Sequence, residues 1–189
     1  TGQVRVFEYR IVTVDEWAET ATPNRSGVVI KNGDATLNAT KKYWVQLGND
    51  ILGRYADNRF GSNLFIRKTT DHGIILAAGE ASNIYTFKYR PITEDEWNAP
   101  TINNNNMGAI NGNDTVYDPE KSYWIQIGGD IAKPPGVVGG FGSSKFGLSY
   151  DGTTIVTGAP SASDHLNNSS YGLVFVYKLP YRALNFQND

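Results

Sequence analysis

Residues 43–51 read Tyr-Trp-Val-Gln-Leu-Gly-Asn-Asp-Ile, and residues 123–131 read Tyr-Trp-Ile-Gln-Ile-Gly-Gly-Asp-Ile. Each stretch opens with five residues whose side chains alternate between two faces, the β period, and each stops at a glycine. The copies lie 80 residues apart, since 123 − 43 = 80. The same offset holds upstream, where Phe-Glu-Tyr-Arg-Ile-Val-Thr-Val-Asp-Glu-Trp at 7–17 answers Phe-Lys-Tyr-Arg-Pro-Ile-Thr-Glu-Asp-Glu-Trp at 87–97. The four tryptophans, at 17, 44, 97 and 124, therefore form two pairs with one spacing. A shared offset over about 45 residues marks a duplicated structural unit.

Working outward, the remaining parts pair as well. Residues 59–65 (RFGSNLF) answer 140–146 (GFGSSKF), and 73–79 (GIILAAG) answer 153–159 (TTIVTGA). Residues 83–90 (NIYTFKYR) answer both 2–10 and 172–180, the last copy lying 90 residues on because 161–170 is a loop insertion. Each unit reads as four short strands, expected over 4–10, 43–48, 60–66, 73–79, 83–90, 123–128, 141–149, 153–159 and 173–179. Ile74 to Ala78 is a continuous apolar run, as in a strand buried on both faces. Asp151-Gly152 is a hairpin turn signal, and Asp71-His72-Gly73 holds the matching place. No stretch of ten or more residues carries a helical stripe; only Thr13-Val14-Asp15-Glu16-Trp17, a T-x-x-E capping pattern, offers a helical turn. Four strands at period 80 are the sequence form of a propeller blade with long insertions. The expectation is one all-β, repeat-built domain over 1–189, with about two and a quarter antiparallel blades: a partial one over 1–58, a full one over 59–138 and a partial one over 139–189.

Composition narrows the function. Of 189 residues, 20 are glycine, 18 asparagine and none cysteine, which fits a turn-rich β protein and excludes disulfides, thiolate zinc sites and a cysteine nucleophile. A net charge of −2 argues against nucleic acid as a partner, and no apolar run approaches the length of a membrane span.

The pattern Phe141-Gly142-Ser143-Ser144, Leu148-Ser149-Tyr150-Asp151-Gly152, Gly158-Ala159-Pro160 and Gly172 to Tyr177 resembles the FG-GAP repeats of integrin-alpha-type β-propellers. It is closest to the arrays of algae, protists, bacteria and large viruses. Degenerate forms stand at Phe60-Gly61-Ser62 and Ala78-Gly79-Glu80. The resemblance implies an adhesive or scaffolding protein without chemistry of its own. Some blades of that family carry a calcium loop; here 160–168 offers a single carboxylate, far short of the six to eight oxygens calcium takes, so calcium is weakly supported and the expected cofactor and metal complement is none.

Other constellations read as structural. Asp15-Glu16 and Asp95-Glu96 are adjacent pairs, which diverge on a turn instead of facing each other across a sugar. His72 and His165 each follow an aspartate in a loop, which is no catalytic dyad. The glycine-rich run 136–142 lacks a P-loop lysine. Trp44 and Trp124, inside strands, are expected between blades, while the loop pair Trp17 and Trp97, with Tyr9 and Tyr89, are the candidate binding aromatics. Asn24, Asn38, Asn113, Asn167 and Asn168 head glycosylation sequons, which favours a secreted, cell-surface or virion-associated protein.

The expected function is a non-enzymatic module for adhesion, scaffolding or assembly through protein contacts, with a glycan-binding lectin as the alternative. Segment 2–10 is a third-strand copy with no first or second strand before it, and 141–180 supplies three strands without a fourth. Both ends thus present a sheet edge, with Val4, Val6, Val174 and Val176 as candidate assembly residues. Completion by a partner copy is expected first, a fragment of a longer array second and self-closure third.

Overall fold

The computed structural model describes residues 2–18, 27–54, 59–70, 73–98, 116–137, 141–142, 145–160, 162 and 172–179. In chain order they form β1 (Gln3–Val4), β2 (Phe7–Ile11), α1 (Val14–Ala18), β3 (Val29–Ile30), β4 (Lys42–Gln46), β5 (Ile51–Leu52), β6 (Asn63–Thr69) and β7 (Gly73–Gly79). There follow β8 (Asn83–Pro91), α2 (Glu94–Asn98), β9 (Ser122–Gln126), β10 (Ile131–Ala132), β11 (Phe146–Leu148), β12 (Thr154–Ala159) and β13 (Leu173–Lys178). Among the described residues all strand pairs are antiparallel, and two short helices accompany this mostly β architecture.

The central sheet shows the complete unit. It runs β6-β7-β8, and the far edge of β8 is shared end to end by β9, on Phe87–Pro91, and β10, on Asn83–Ile84. The fourth strand is therefore one line broken where Gly128 takes a positive φ of 74°. The first unit repeats its outer half: Tyr9 faces Trp44 as Tyr89 faces Trp124, and Val4 faces Ile51 as Ile84 faces Ile131. A third sheet orders β11-β12-β13.

The sheets stack face to face, and the alternation of β7 explains how. Ile75 and Ala77 point into a cluster with Phe141, Phe146, Leu148 and Ile155 of the third unit. Leu76 and Ala78 point the other way, into a cluster with Val4, Val6 and Ile51 of the first and with Phe60 of their own unit. An apolar run without polar alternation is what burial on both faces demands. Each Phe-Gly pair places its phenylalanine between successive sheets, Phe60 in one cluster and Phe141 in the other. The glycine beside Phe141 is dictated by closeness: a Cβ on Gly142 would stand 2.1 Å from Asn83 O and 2.3 Å from Glu80 O.

Three features depart from the sequence reading. A second helix, α2, forms at Thr93-Glu94-Asp95-Glu96, the T-x-x-E pattern of the second copy. The connection after Trp17 contains a strand, β3, which pairs with β4 and buries Val29. The third difference is one of register. Ile84 lies opposite Gly79 and Val174 opposite Gly158, so the second strands match at an offset of 79 and not 80. A one-residue slip exchanges the faces of a strand. Ile155 accordingly takes the inward place of Leu76, and Val156 points outward.

Candidate functional site

The contact between the first two sheets is built around Trp124. Its side chain is fully buried, stacks on Tyr89 at 5.1 Å and 41°, and donates its indole N–H to Leu47 O at 2.7 Å. Gly48 makes the seat possible. Its φ is +65°, and a Cβ there would stand 2.5 Å from Trp124 Cδ1. In the Trp-x-Gln-x-Gly pattern the tryptophan thus enters the preceding copy's glycine turn, not its own.

The Gln-x-x-x-Asp spacing is a second device made twice. Gln46 Nε2 donates to Asp50 Oδ1 at 2.8 Å, and Gln126 Nε2 to Asp130 Oδ1 at 2.9 Å. Each aspartate also receives an arginine from a different source. Arg5 holds Asp50 from the neighbouring strand at 2.7–2.9 Å, whereas Arg54 crosses from the first unit to Asp130 at 2.8 Å and to Gln126 Oε1 at 3.0 Å. Arg54 also lies over the Tyr85 ring, 5.1 Å from its centre. The Gln126–Arg54 group ties two units, and the Gln46–Arg5 group stays within one.

The two helices are reciprocal capping boxes. Thr13 N donates to Glu16 Oε2 at 2.8 Å and Glu16 N to Thr13 Oγ1 at 3.2 Å; Thr93 and Glu96 repeat this at 3.0 and 3.2 Å. Arg10 and Arg90 bind the same carboxylates in forked fashion. The Arg10 hydrogen bond, opposed by burial and reinforced by Thr13, lowers the Glu16 carboxyl to about 2. Burial pushes Glu96 up, but Arg90 and Thr93 outweigh it and hold the carboxyl below its ordinary value. Asp15 and Asp95 lie in the same helical turns, and the acidic pairs carry architecture.

The helices aim the loop tryptophans. Trp17 packs on Tyr43 at 5.0 Å, the rings tilted by 58°, with the Lys31 ammonium 4.7 Å above its ring, and Trp97 packs on Tyr123 at 5.5 Å and Tyr117 at 6.2 Å. Both stay half-buried. Beside Tyr117 and Tyr123 opens a pocket of about 370 Å³ that also includes Asp118 and Lys121.

The other candidates divide sharply. Trp44 repeats the geometry of Trp124 against Tyr9, at 5.1 Å and 41°, yet is 46% exposed and not between sheets, because among the described residues no sheet lies on that side of the first unit. Tyr9 is exposed with it, whereas Tyr89 is half-buried beside Trp124. Val4 and Val6 are buried under the central sheet, so their side chains belong to the core. Val174 and Val176 stand exposed on the third sheet. Asn38 is exposed, its Oδ1 accepting from Thr40 N at 3.0 Å and Thr40 Oγ1 at 2.9 Å. Asn24, Asn113, Asn167, Asn168, His72 and His165 lie outside the described residues.

Sequence reasoning missed Glu80 and Arg54. Glu80 is buried and accepts from Tyr85 Oη at 2.5 Å and Asn83 Nδ2 at 3.0 Å. Burial first and this carboxylate second push the Tyr85 hydroxyl far up. Glu80 stands in the degenerate Ala78-Gly79-Glu80 motif at the place of Pro160, a departure that could have marked it, whereas Arg54 belongs to no repeated motif. Among the described residues no group of three or more His, Asp or Glu side chains stands close enough to hold a metal, and no helix is long and apolar enough to cross a membrane. No protein-family model, curated protein or solved structure matches this chain.

Proposed function

We propose that the chain is a non-catalytic β-propeller-type module for adhesion, scaffolding or assembly through protein–protein contacts. The observation that carries this reading is the pair of uncovered apolar sheet faces, with Tyr9 and Trp44 on the first sheet and Val174 and Val176 on the third. Contiguous exposed apolar surface of this kind marks an interaction site. The FG-GAP resemblance agrees with it, since Phe60 and Phe141 act as knobs between successive antiparallel sheets, and sheets stacked face to face are the raw material of propellers. The charged groups of the repeats are engaged in caps and ties between strands, which supports a framework role over chemistry. The sequons, with Asn38 exposed, support a secreted, cell-surface or virion-associated setting.

One observation favours a second reading, a lectin-like module. The pocket beside Trp97 combines two tyrosines with Asp118 and Lys121, a mixture of ring faces and polar groups that suits a sugar. A glycan array with the purified protein and its Trp97→Ala variant decides between them. The assembly reading expects no saturable sugar binding; saturable binding that disappears in Trp97→Ala overturns it.

A further inference from the structure

We propose that a second copy of this chain stacks head to tail on the first, the Tyr9–Trp44 face of one copy covering the Val174–Val176 face of the other. The inference rests on the assembly reading and names its partner.

The two uncovered faces are the two halves of an interface the molecule already makes internally. On the receiving side, each unit presents a pair of third-strand residues to the sheet that follows. In the first unit the pair is Val4 and Val6, 3% and 9% exposed beneath the central sheet. In the central sheet it is Ile84 and Thr86, both 0% exposed. The third unit has Val174 and Val176 at these places, because Val174 faces Gly158 as Ile84 faces Gly79. These two are 72% and 67% exposed. Val176 is aliphatic like Val6, and unlike Thr86 it has no hydroxyl to turn inward onto a carbonyl as Thr86 does onto Ile127 O at 2.7 Å. Lys178 borders the pair, and its counterpart Lys88 is only 8% exposed beneath the third sheet, so a lysine there tolerates being covered.

The entering side is equally matched. Phe87, Tyr89 and Trp124 form the face that the central sheet lays on Val4 and Val6. Phe7, Tyr9 and Trp44 are the same residues 80 positions earlier, with the ring pair held at the same 5.1 Å and 41°. Tyr9 is 52% and Trp44 46% exposed. One chain thus carries an aromatic face without a seat and an aliphatic seat without an aromatic face. The two lie on opposite outer sheets and cannot meet within one chain while the central sheet separates them. A contact between unlike surfaces is heterologous, so copies add in one direction and close as a ring or continue as a filament. The exposed groups are side chains on sheet faces, which favours stacking over the edge-to-edge strand addition expected from the sequence.

Light scattering across a concentration series tests this, using the full chain and two variants, Trp44→Ala and Val176→Asp, each first checked for an unchanged thermal transition. The wild type is expected to gain mass with concentration past the dimer. Each variant alone is expected to associate roughly tenfold or more weakly, as for a buried interface anchor. Mixing the two is expected to restore a species of twice the chain mass and no larger, since each retains the face the other has lost. Tyr9→Lys replaces Trp44→Ala if the latter melts early. A monomeric wild type at every concentration overturns the proposal, as does a mixture no heavier than its parts. Either failure leaves the glycan-array result untouched, so the loss of this partner and the loss of the assembly reading are told apart.

Discussion

The indole N–H of Trp124 meets the carbonyl of Leu47 at 2.7 Å, a hydrogen bond between residues 77 positions apart that locks one repeat onto the one before it. The bond forms where Gly48 turns through a positive φ and leaves no Cβ in the way. Removing the ring opens a cavity and orphans a carbonyl together. Trp124→Ala is expected to cost about 3–5 kcal/mol in urea denaturation. Trp44→Ala, on the open face, is expected to cost about 1 kcal/mol or less. Equal losses at the two sites contradict the seat.

Gly48→Ala tests the same contact from its other side. Gly33, with φ +85° and nothing within 4 Å of a Cβ, supplies the conformational reference. Gly33→Ala is expected to cost about 1 kcal/mol for the left-handed backbone alone. Gly48→Ala is expected to cost at least about 1 kcal/mol more, because the new methyl displaces the indole. That excess should vanish in a Trp124→Ala background; if it persists, the clash is not with Trp124.

Arg54 joins Asp130 and Gln126 across the sheets, with both charged side chains largely buried. Arg54→Ala leaves the aspartate without its cation and is expected to cost about 1–3 kcal/mol. Arg54→Lys recovers little, since one ammonium cannot reach both acceptors from the same fork. Arg5→Ala is expected to cost less, the Arg5 side chain being 40% exposed and screened by water. A lysine variant as stable as the wild type removes the fork from the account.

Acid titration of stability reads the capping boxes. The Glu16 carboxyl moves from an ordinary value of 4.5 to about 2 in the fold, so its stabilisation is complete above about 4.5 and is lost as pH falls toward 2. Glu96 shifts in the same direction. The midpoint of denaturation should fall between pH 4.5 and 2, and Glu16→Gln with Glu96→Gln should flatten that slope. An unchanged slope in the double variant assigns the acid sensitivity to other carboxylates.

Much of this architecture is legible in the sequence because it is local. The alternation of Tyr43 to Leu47, the breaks at Gly48 and Gly128, and the T-x-x-E turn at Thr13 follow from backbone geometry and short-range hydrogen bonds, though the same pattern at Thr93, which forms α2, is not among the sequence expectations. Asp151-Gly152 turns as its residues dictate, with Gly152 at φ +72° and Asp151 accepting from Ser149 Oγ and Thr153 N. The register of β12 is different. A spacing of 80 pairs Val156 with Leu76 in the letters, and packing against the central sheet turns Ile155 inward instead.

Trp44 and Trp124 mark the limit most clearly. They share a motif, a strand position and a ring geometry against tyrosine, all fixed within a few residues of chain. The sequence by itself determined the strands, the repeat and which side chains share a face. Only the tertiary structure decided which faces are covered, since burial depends on whether another sheet lies against them, and that sheet is made of residues far along the chain. One indole is sealed against Gly48 and the other stands open, although nothing in their own neighbourhoods tells them apart.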